Sequence, residues 1–193
     1  RWAVGEMLDA AKAHLKDDRA ELLEALYRKA VDIHEDDIAK CRAISEYGLS
    51  LLKEGDGVLT HCNAGPLATS RYGTAQGPFL LAAERGIHIR VFADETRPLL
   101  QGARLTSGCF AQMDFDTTVI TDNMVAYAME REGIDLFTSA ADSIAWDGHI
   151  ANKIGTFQMA ILAKYFGIPY YVTGIPDQDK HSKDDIVIEM RDP

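Results

Sequence analysis

Gly55-Asp56-Gly57-Val58-Leu59-Thr60-His61-Cys62-Asn63-Ala64-Gly65 is the stretch from which the rest of the chain is read. Two glycines flanking an aspartate close the preceding pattern, a short apolar run of strand length follows, and the run empties into a turn that holds a cysteine. Val58 to Thr60 is expected to be a buried strand, with Asn63 and Gly65 as turn residues able to take positive φ. Cys62 then stands at a strand's carboxyl end, where the loops and helix N-termini of an open α/β sheet converge and ligands bind. A lone cysteine in such a loop is more often a small buried hydrophobe than a reactive group, so the loop alone does not assign it a role.

Upstream, residues 1–53 read as helix. Trp2, Val4, Met7, Leu8, Ala11 and Leu15 follow helical spacing, and Leu22, Leu23, Leu26, Tyr27 and Ala30 resume it after the charged break Lys16-Asp17-Asp18-Arg19. A further helix is predicted over 36–52, with Ile38, Cys41, Ile44, Tyr47 and Leu51 on its core face. Lys53-Glu54-Gly55-Asp56-Gly57 is a helix stop, so the chain divides into a helical segment, 1–54, and an α/β domain, 55–193.

Downstream the pattern alternates. Strands are predicted over 58–60, 88–93, 117–121, 134–139 and 170–173, and helices over 72–85, 99–113, 123–131 and 153–166, with Gly86, Gly133 and Gly167 as helix stops. Short connections between alternating elements imply βα units with right-handed crossovers, hence a Rossmann-like parallel sheet with helices on both faces. No G-x-G-x-x-G follows the first strand, so no dinucleotide cofactor is indicated.

Polar residues gather where these strands end: Asp94-Glu95-Thr96-Arg97-Pro98 with Gln101, Gly102 and Arg104; Thr121-Asp122-Asn123; Ala140-Ala141-Asp142; and Asn152-Lys153, read as opening a helix. Each has a plain structural explanation, with Asp122 and Asn152 as helix N-caps, Arg97 as a partner for Asp94 and Lys153 as a solvated lysine. Together with Cys62 they would lie along one rim of the sheet.

Composition narrows the partners. The 193 residues are 47% hydrophobic and 26% charged, ordinary globular material with no run near the ~20 apolar residues of a membrane span. A formal net charge of −10 would repel a phosphate backbone or an anionic membrane, leaving room only for a local basic pocket able to hold a small phosphate. Three cysteines, Cys41, Cys62 and Cys109, form no C-x-x-C pair, which argues against structural zinc and for a reducing, cytoplasmic compartment. The chain begins in mid-pattern at Arg1-Trp2-Ala3-Val4, as a segment of a longer protein would.

Three blocks carry a resemblance: His61-Cys62-Asn63-Ala64-Gly65, the run from Ala93-Asp94-Glu95-Thr96-Arg97-Pro98 through Gln101-Gly102-Ala103-Arg104-Leu105-Thr106, and Ala151-Asn152-Lys153-Ile154-Gly155-Thr156. In order and over essentially the whole chain, they resemble the methylthioribose-1-phosphate isomerases of methionine salvage. These group with ribose-bisphosphate isomerases and with regulatory subunits of the translation-initiation guanine-nucleotide exchange factor. The resemblance implies an aldose–ketose isomerase needing no cofactor or metal, a homodimer, a catalytic pair at Cys62 and Asp142, and substrate contacts at Gln101, Asn152 and Lys153. It also implies further chain at both ends, the N-terminal part supplying arginines to the phosphate.

Such chemistry asks for such a pair. A sugar with phosphate on its anomeric oxygen has no free aldehyde, so the ring oxygen must be protonated as its bond to C1 breaks. Hydrogen then passes from C2 to C1, as a proton or as a hydride. Asp142 suits the acid if burial beside Ile144 and Trp146 raises its pKa, and Cys62 fits either route. Where the family typically carries arginine after the aspartate, this chain has Ser143, and Trp146, Asp147, His149, Pro66 and Arg71 also depart. Those departures bear on the group at C5 of the sugar. Methylthioribose 1-phosphate is the first reading, with 5-deoxyribose 1-phosphate and ribose 1,5-bisphosphate as competitors and a non-catalytic regulatory subunit as the alternative of another class.

Overall fold

The computed structural model describes residues 2–188. Two helices open it, α1 (Trp2–Ala13) and α2 (Arg19–Leu49). The charged break between them is real: Asp18 caps α2, its Oδ1 accepting from Ala20 N at 2.8 Å and Glu21 N at 3.0 Å. The two helices predicted after it are one. Val31-Asp32-Ile33-His34-Glu35 holds no glycine or proline, so nothing stops propagation through it. The buried face of α2 also differs from expectation. Cys41, Ser45 and Leu49 are buried at i, i+4, i+8, while Tyr47 is 76% exposed. The reason is a close crossing with α3 (Gly77–Glu84): a Cβ on Gly48 would lie 2.3 Å from Pro78 Cγ, and one on Gly77 2.1 Å from Ser45 Oγ. Only small residues fit there.

Five strands, β1 (Gly57–Thr60), β2 (Arg90–Asp94), β3 (Asp116–Ile120), β4 (Leu136–Ala140) and β7 (Tyr170–Thr173), form one parallel sheet in the order β3-β2-β1-β4-β7. Neighbouring residues on a strand point to opposite faces, and over the inner strands β2, β1 and β4 both faces are dry. Val58, Val91 and Leu136 pack with Phe79, Leu81, Phe110 and Phe115 on one side; Leu59, Phe92 and Phe137 pack with Val125, Met129, Met159 and Ala163 on the other. The first layer belongs to α3 and α4 (Ser107–Ala111), where Phe79 meets Phe110 edge to face at 5.0 Å. The second belongs to α5 (Val125–Arg131) and α6 (Thr156–Phe166). Truncating a ring such as Phe110 or Phe137 to alanine would cost about 3–5 kcal/mol.

Several boundaries move. The helix expected from residue 72 starts at Gly77, because Tyr72 and Gly73 both take positive φ. The helix expected from 153 starts at Thr156, after Gly155 at φ 102°. The segment expected as helix over 99–113 opens with a π-helical stretch, Gly102–Thr106, before α4. A two-stranded hairpin, β5 (Ser143–Ile144) with β6 (Ile150–Ala151), was not foreseen. No described helix is long and apolar enough to cross a membrane.

Candidate active site

Strand order reverses at β1, which has β2 on one side and β4 on the other. Chain leaving β1 and β4 therefore departs in opposite directions around the sheet, opening a crevice at their carboxyl ends. Cys62 follows β1 and Asp142 follows β4, so both border it.

The turn that carries Cys62 is held from both sides. Cys62 N donates to Thr96 Oγ1 at 2.9 Å, and Thr106 Oγ1 donates to the Cys62 carbonyl at 2.6 Å. The residue at positive φ is Cys62 itself, at 66°, and not Asn63 or Gly65; Gly65 has φ −96°. A side chain held in the left-handed region at about 1–3 kcal/mol is typical of a functional turn. Gly65 is needed for another reason: a Cβ there would lie 2.0 Å from Gln76 Oε1. Gln76, fully buried, donates to Thr106 Oγ1 at 3.0 Å, and Asn63 Nδ2 donates to the same oxygen at 3.1 Å. The Thr106 hydroxyl thus has its proton and both lone pairs in use.

Asp142 and Lys153 are both near enough for their charges to act on the Cys62 thiol. Burial, first, pushes that thiol up and the Asp142 charge adds to it; the Asn63 backbone N–H and Lys153 pull it down. The net direction is upward, so at neutral pH the free site holds Cys62 as a thiol.

The burial expected around Asp142 is not found. Asp142 is exposed, Trp146 is 62% exposed, and Ile144 is half-buried. Ser143 donates to Asp177 Oδ2 at 2.5 Å, which fastens the hairpin to the loop after β7. Asp142 N donates to Ala151 O at 2.9 Å, which sets Asp142 at the base of the hairpin opposite Asn152.

Asn152 does not cap a helix. Its Nδ2 reaches Thr156 Oγ1 at 3.0 Å and Ser139 Oγ at 3.4 Å, tying the end of β4 to the start of α6. Lys153 lies three residues before Thr156, and its carbonyl accepts from Thr156 N and Oγ1. Gln101 is half-buried with its Oε1 buried and without a partner, an acceptor left over by the protein's own bonding.

Residues beneath the turn escaped the sequence reading. His61 Nδ1 lies 2.7 Å from Asp94 Oδ2, and Nε2 lies 2.9 Å from the Ile154 carbonyl. Asp94 therefore pairs with His61 and not with Arg97. Asp122 is no N-cap; its two oxygens accept from the backbone N–H groups of Thr96 and Arg97 at 3.0 and 2.8 Å. The one available signal was position, since each is a polar residue at the end of a strand.

A family model described as the Initiation factor 2 subunit family matches residues 1–193. A 5-deoxyribose 1-phosphate isomerase of Moorella thermoacetica is 48% identical over 195 residues, covering 100% of this chain and 56% of that protein. A methylthioribose-1-phosphate isomerase of Symbiobacterium thermophilum is 49% identical over 195 residues, covering 100% and 54%. Among solved structures, a 5-methylthioribose 1-phosphate isomerase from Pyrococcus horikoshii OT3 superposes with TM-score 0.90 at 34% identity, covering 100% of this chain and 55% of that one. A translation initiation factor eIF-2B delta subunit from A. fulgidus does so with TM-score 0.85 at 40% identity, covering 98% and 55%. The chain spans about half the length of the curated relatives it matches.

Proposed function

Because the chain belongs to the initiation factor 2 subunit family, and because its cysteine turn stands at the topological switch point within reach of a carboxylate and a lysine, we propose that it carries the catalytic core of an aldose–ketose isomerase acting on a 5-substituted ribose 1-phosphate. The single observation behind this reading is placement: Cys62 at the end of β1, and Asp142 and Lys153 at the root of the hairpin after β4, stand on the two sides of the switch point.

The charge state of the free site suggests how the pair divides its work. Cys62, whose thiol is pushed upward, is taken as the acid of the pair and the exposed Asp142 as its base, the reverse of an Asp142 acid. In the first step Asp142 takes the proton from C2, electrons form a C1–C2 double bond, the C1–ring-oxygen bond breaks, and Cys62 gives its proton to that oxygen. In the second the thiolate takes the 2-hydroxyl proton while Asp142 returns its own to C1. The product is a ribulose 1-phosphate, and both residues end as they began. Lys153 counters the phosphate, and the free Gln101 Oε1 suits a sugar hydroxyl.

The relatives named for methylthioribose 1-phosphate and for 5-deoxyribose 1-phosphate are nearly equal in identity. The two sugars differ only in an apolar C5 substituent, which a pocket discriminates by about 10–200-fold. The reading is therefore that both are accepted, methylthioribose 1-phosphate in methionine salvage first, and that ribose 1,5-bisphosphate is disfavoured because its second dianion lacks a partner. A homodimer is part of the reading: Phe157, Ile161 and Tyr165 form an exposed apolar stripe along α6, at 80%, 52% and 80% exposure. The likeness to an eIF-2B subunit keeps one competitor, a non-catalytic regulatory subunit.

Incubating the protein at its full natural length with the three sugar phosphates, and following ketose 1-phosphate by NMR, tests all of this. Turnover of the first two sugars supports it. No turnover of any promotes the regulatory subunit, and ribose 1,5-bisphosphate as best substrate refutes the C5 reading. In D2O the proton route loads deuterium at C1 wherever the exposed Asp142 carboxyl exchanges with solvent before returning its proton, whereas a hydride shift leaves C1 unlabelled.

A further inference from the structure

Three titratable groups beneath the Cys62 turn play no part in the chemistry above. His61 and Asp94 are 2% and 0% exposed, and one atom of each and of Asp122 lie within 4.8 Å of one another. Hydrogen-bond accounting says where their protons sit. His61 Nε2 faces the Ile154 carbonyl, an acceptor in every state, so Nε2 carries a proton. Nδ1 faces Asp94 Oδ2. Thr96 Oγ1 accepts from Cys62 N and directs its own proton to Asp94, so it has none for His61.

Asp94 Oδ1 is the anomaly, buried and without a partner as a carboxylate oxygen. The Asp122 carboxylate, holding two backbone N–H groups of its own, brings an oxygen within 4.8 Å of Asp94. Two facing carboxylate oxygens repel, and a proton on Asp94 Oδ1 turns that contact into a bond. Because Asp122 already accepts two backbone N–H groups, the proton is placed on Asp94 Oδ1, the oxygen without a partner; Asp94 then donates to Asp122 and accepts on Oδ2 from His61 Nδ1, while His61 Nε2 donates to Ile154 O.

We infer that Asp94 is the proton-carrying middle of a hydrogen-bonded chain running Asp122, Asp94, His61, Ile154, and that this chain is a positioning device fixing the Cys62 turn against the turn that presents Lys153. Cys62 follows His61 and Lys153 precedes Ile154, so the chain crosses the switch point directly under the proposed reacting groups. Backbone packing supports it at both ends. A Cβ on Gly155 would lie 3.1 Å from His61 Cε1, and one on Gly102 would lie 1.6 Å from Asp94 O. The charged groups facing Asp94 are His61 from the β1 turn and Asp122 from the loop after β3. Burial, first, and Asp122 push Asp94 up to about 6, with His61 opposing. A carboxyl raised in the folded state gives stability that is complete below its unfolded value, near 3.8, and is lost as pH rises through about 6.

Asp94→Asn separates this from an ordinary buried ion pair. The amide copies neutral Asp94 at every pH, its oxygen accepting from His61 and its nitrogen donating to Asp122. In the protein at its full natural length, assayed at about pH 5 where Asp94 keeps its proton, Asp94→Ala lowers kcat by about tenfold or more, and Asp94→Asn restores most of it. The thermal midpoint of Asp94→Asn gains on that of the wild type as pH rises from about 4 to 7, because only the wild type loses the proton. Nitrogen NMR of His61 finds both ring nitrogens protonated. Asp94→Asn as damaging as Asp94→Ala, or a bare His61 ring nitrogen, overturns the chain. The positioning role rests on the isomerase reading, but the midpoints and nitrogen signals are measured without substrate and test the chain even where that reading fails.

Discussion

Replacing Thr106 by valine removes one oxygen and keeps the side chain's shape, which makes it a clean probe of the cysteine turn. That oxygen donates to Cys62 O at 2.6 Å and accepts from Gln76 Nε2 at 3.0 Å and Asn63 Nδ2 at 3.1 Å. Asn63 is half-buried and can turn to water, so its loss counts little. Gln76 is 0% exposed and its Oε1 already lacks a partner, so its amide nitrogen has nowhere to go. The Cys62 carbonyl loses its donor while the residue is held at positive φ. Two stranded groups at about 1–3 kcal/mol each give a total of about 2–6 kcal/mol. Against a mid-range domain stability of about 10 kcal/mol the variant stays folded, with its urea midpoint clearly lowered at unchanged slope. Its kcat falls as well, since the turn that aims the sulfur has lost a wall. A loss under about 1 kcal/mol would refute the claim that this hydroxyl holds the turn.

Cys62→Ser and Asp142→Asn should each lower kcat by roughly 10²-fold or more with thermal midpoints nearly unchanged; either variant turning over normally at saturation removes that residue from the pair. Lys153→Met should raise KM for the phosphorylated sugar, and an unaltered KM returns Lys153 to an ordinary surface lysine. Alkylation of Cys62 should accelerate only as pH climbs past the ordinary thiol range; removing Lys153 shifts that profile higher still and Asp142→Asn shifts it lower, whereas a profile indifferent to both denies their contact with the sulfur. Gly155→Ala should destabilise by about 1–3 kcal/mol, from a side chain at φ 102° pressed on His61, and a neutral result would show that the turn before α6 is free to move.

The parallel sheet was legible because its inner strands are buried on both faces and so read as continuous apolar runs: Val58-Leu59, Val91-Phe92 and Leu136-Phe137. The hairpin was not, since Ser143–Ile144 and Ile150–Ala151 are too short to show alternation. Positive φ at Cys62 was assigned to its neighbours because local preference favours asparagine and glycine; two threonine hydroxyls from the loop and π-helical stretch after β2 impose it instead. The pairing of His61 with Asp94 spans 33 positions and exists only because β1 and β2 lie side by side, which no local pattern encodes. Sequence did bring the polar strand ends to one rim, because that follows from parallel topology alone. The exposure of Asp142 does not follow from it, depending instead on where the hairpin leans.

That hairpin is fastened outward. Asp177, in the loop after β7, receives Ser143 Oγ and Ile144 N and pairs with Lys180 Nζ at 3.0 Å, while Trp146 N donates to Lys180 O. Its tip, Trp146-Asp147-Gly148-His149, is exposed and adds nothing to either apolar layer. The chain thus separates two parts of the hairpin: Asp142 and Asn152 sit where it joins the sheet, while its tip is tied to the C-terminal loop, through Trp146 N to Lys180 O and Lys183 N to Asp147 Oδ2. A side chain changed at Trp146 or His149 therefore leaves both apolar layers untouched, whereas Asp147 carries the tip's own anchors.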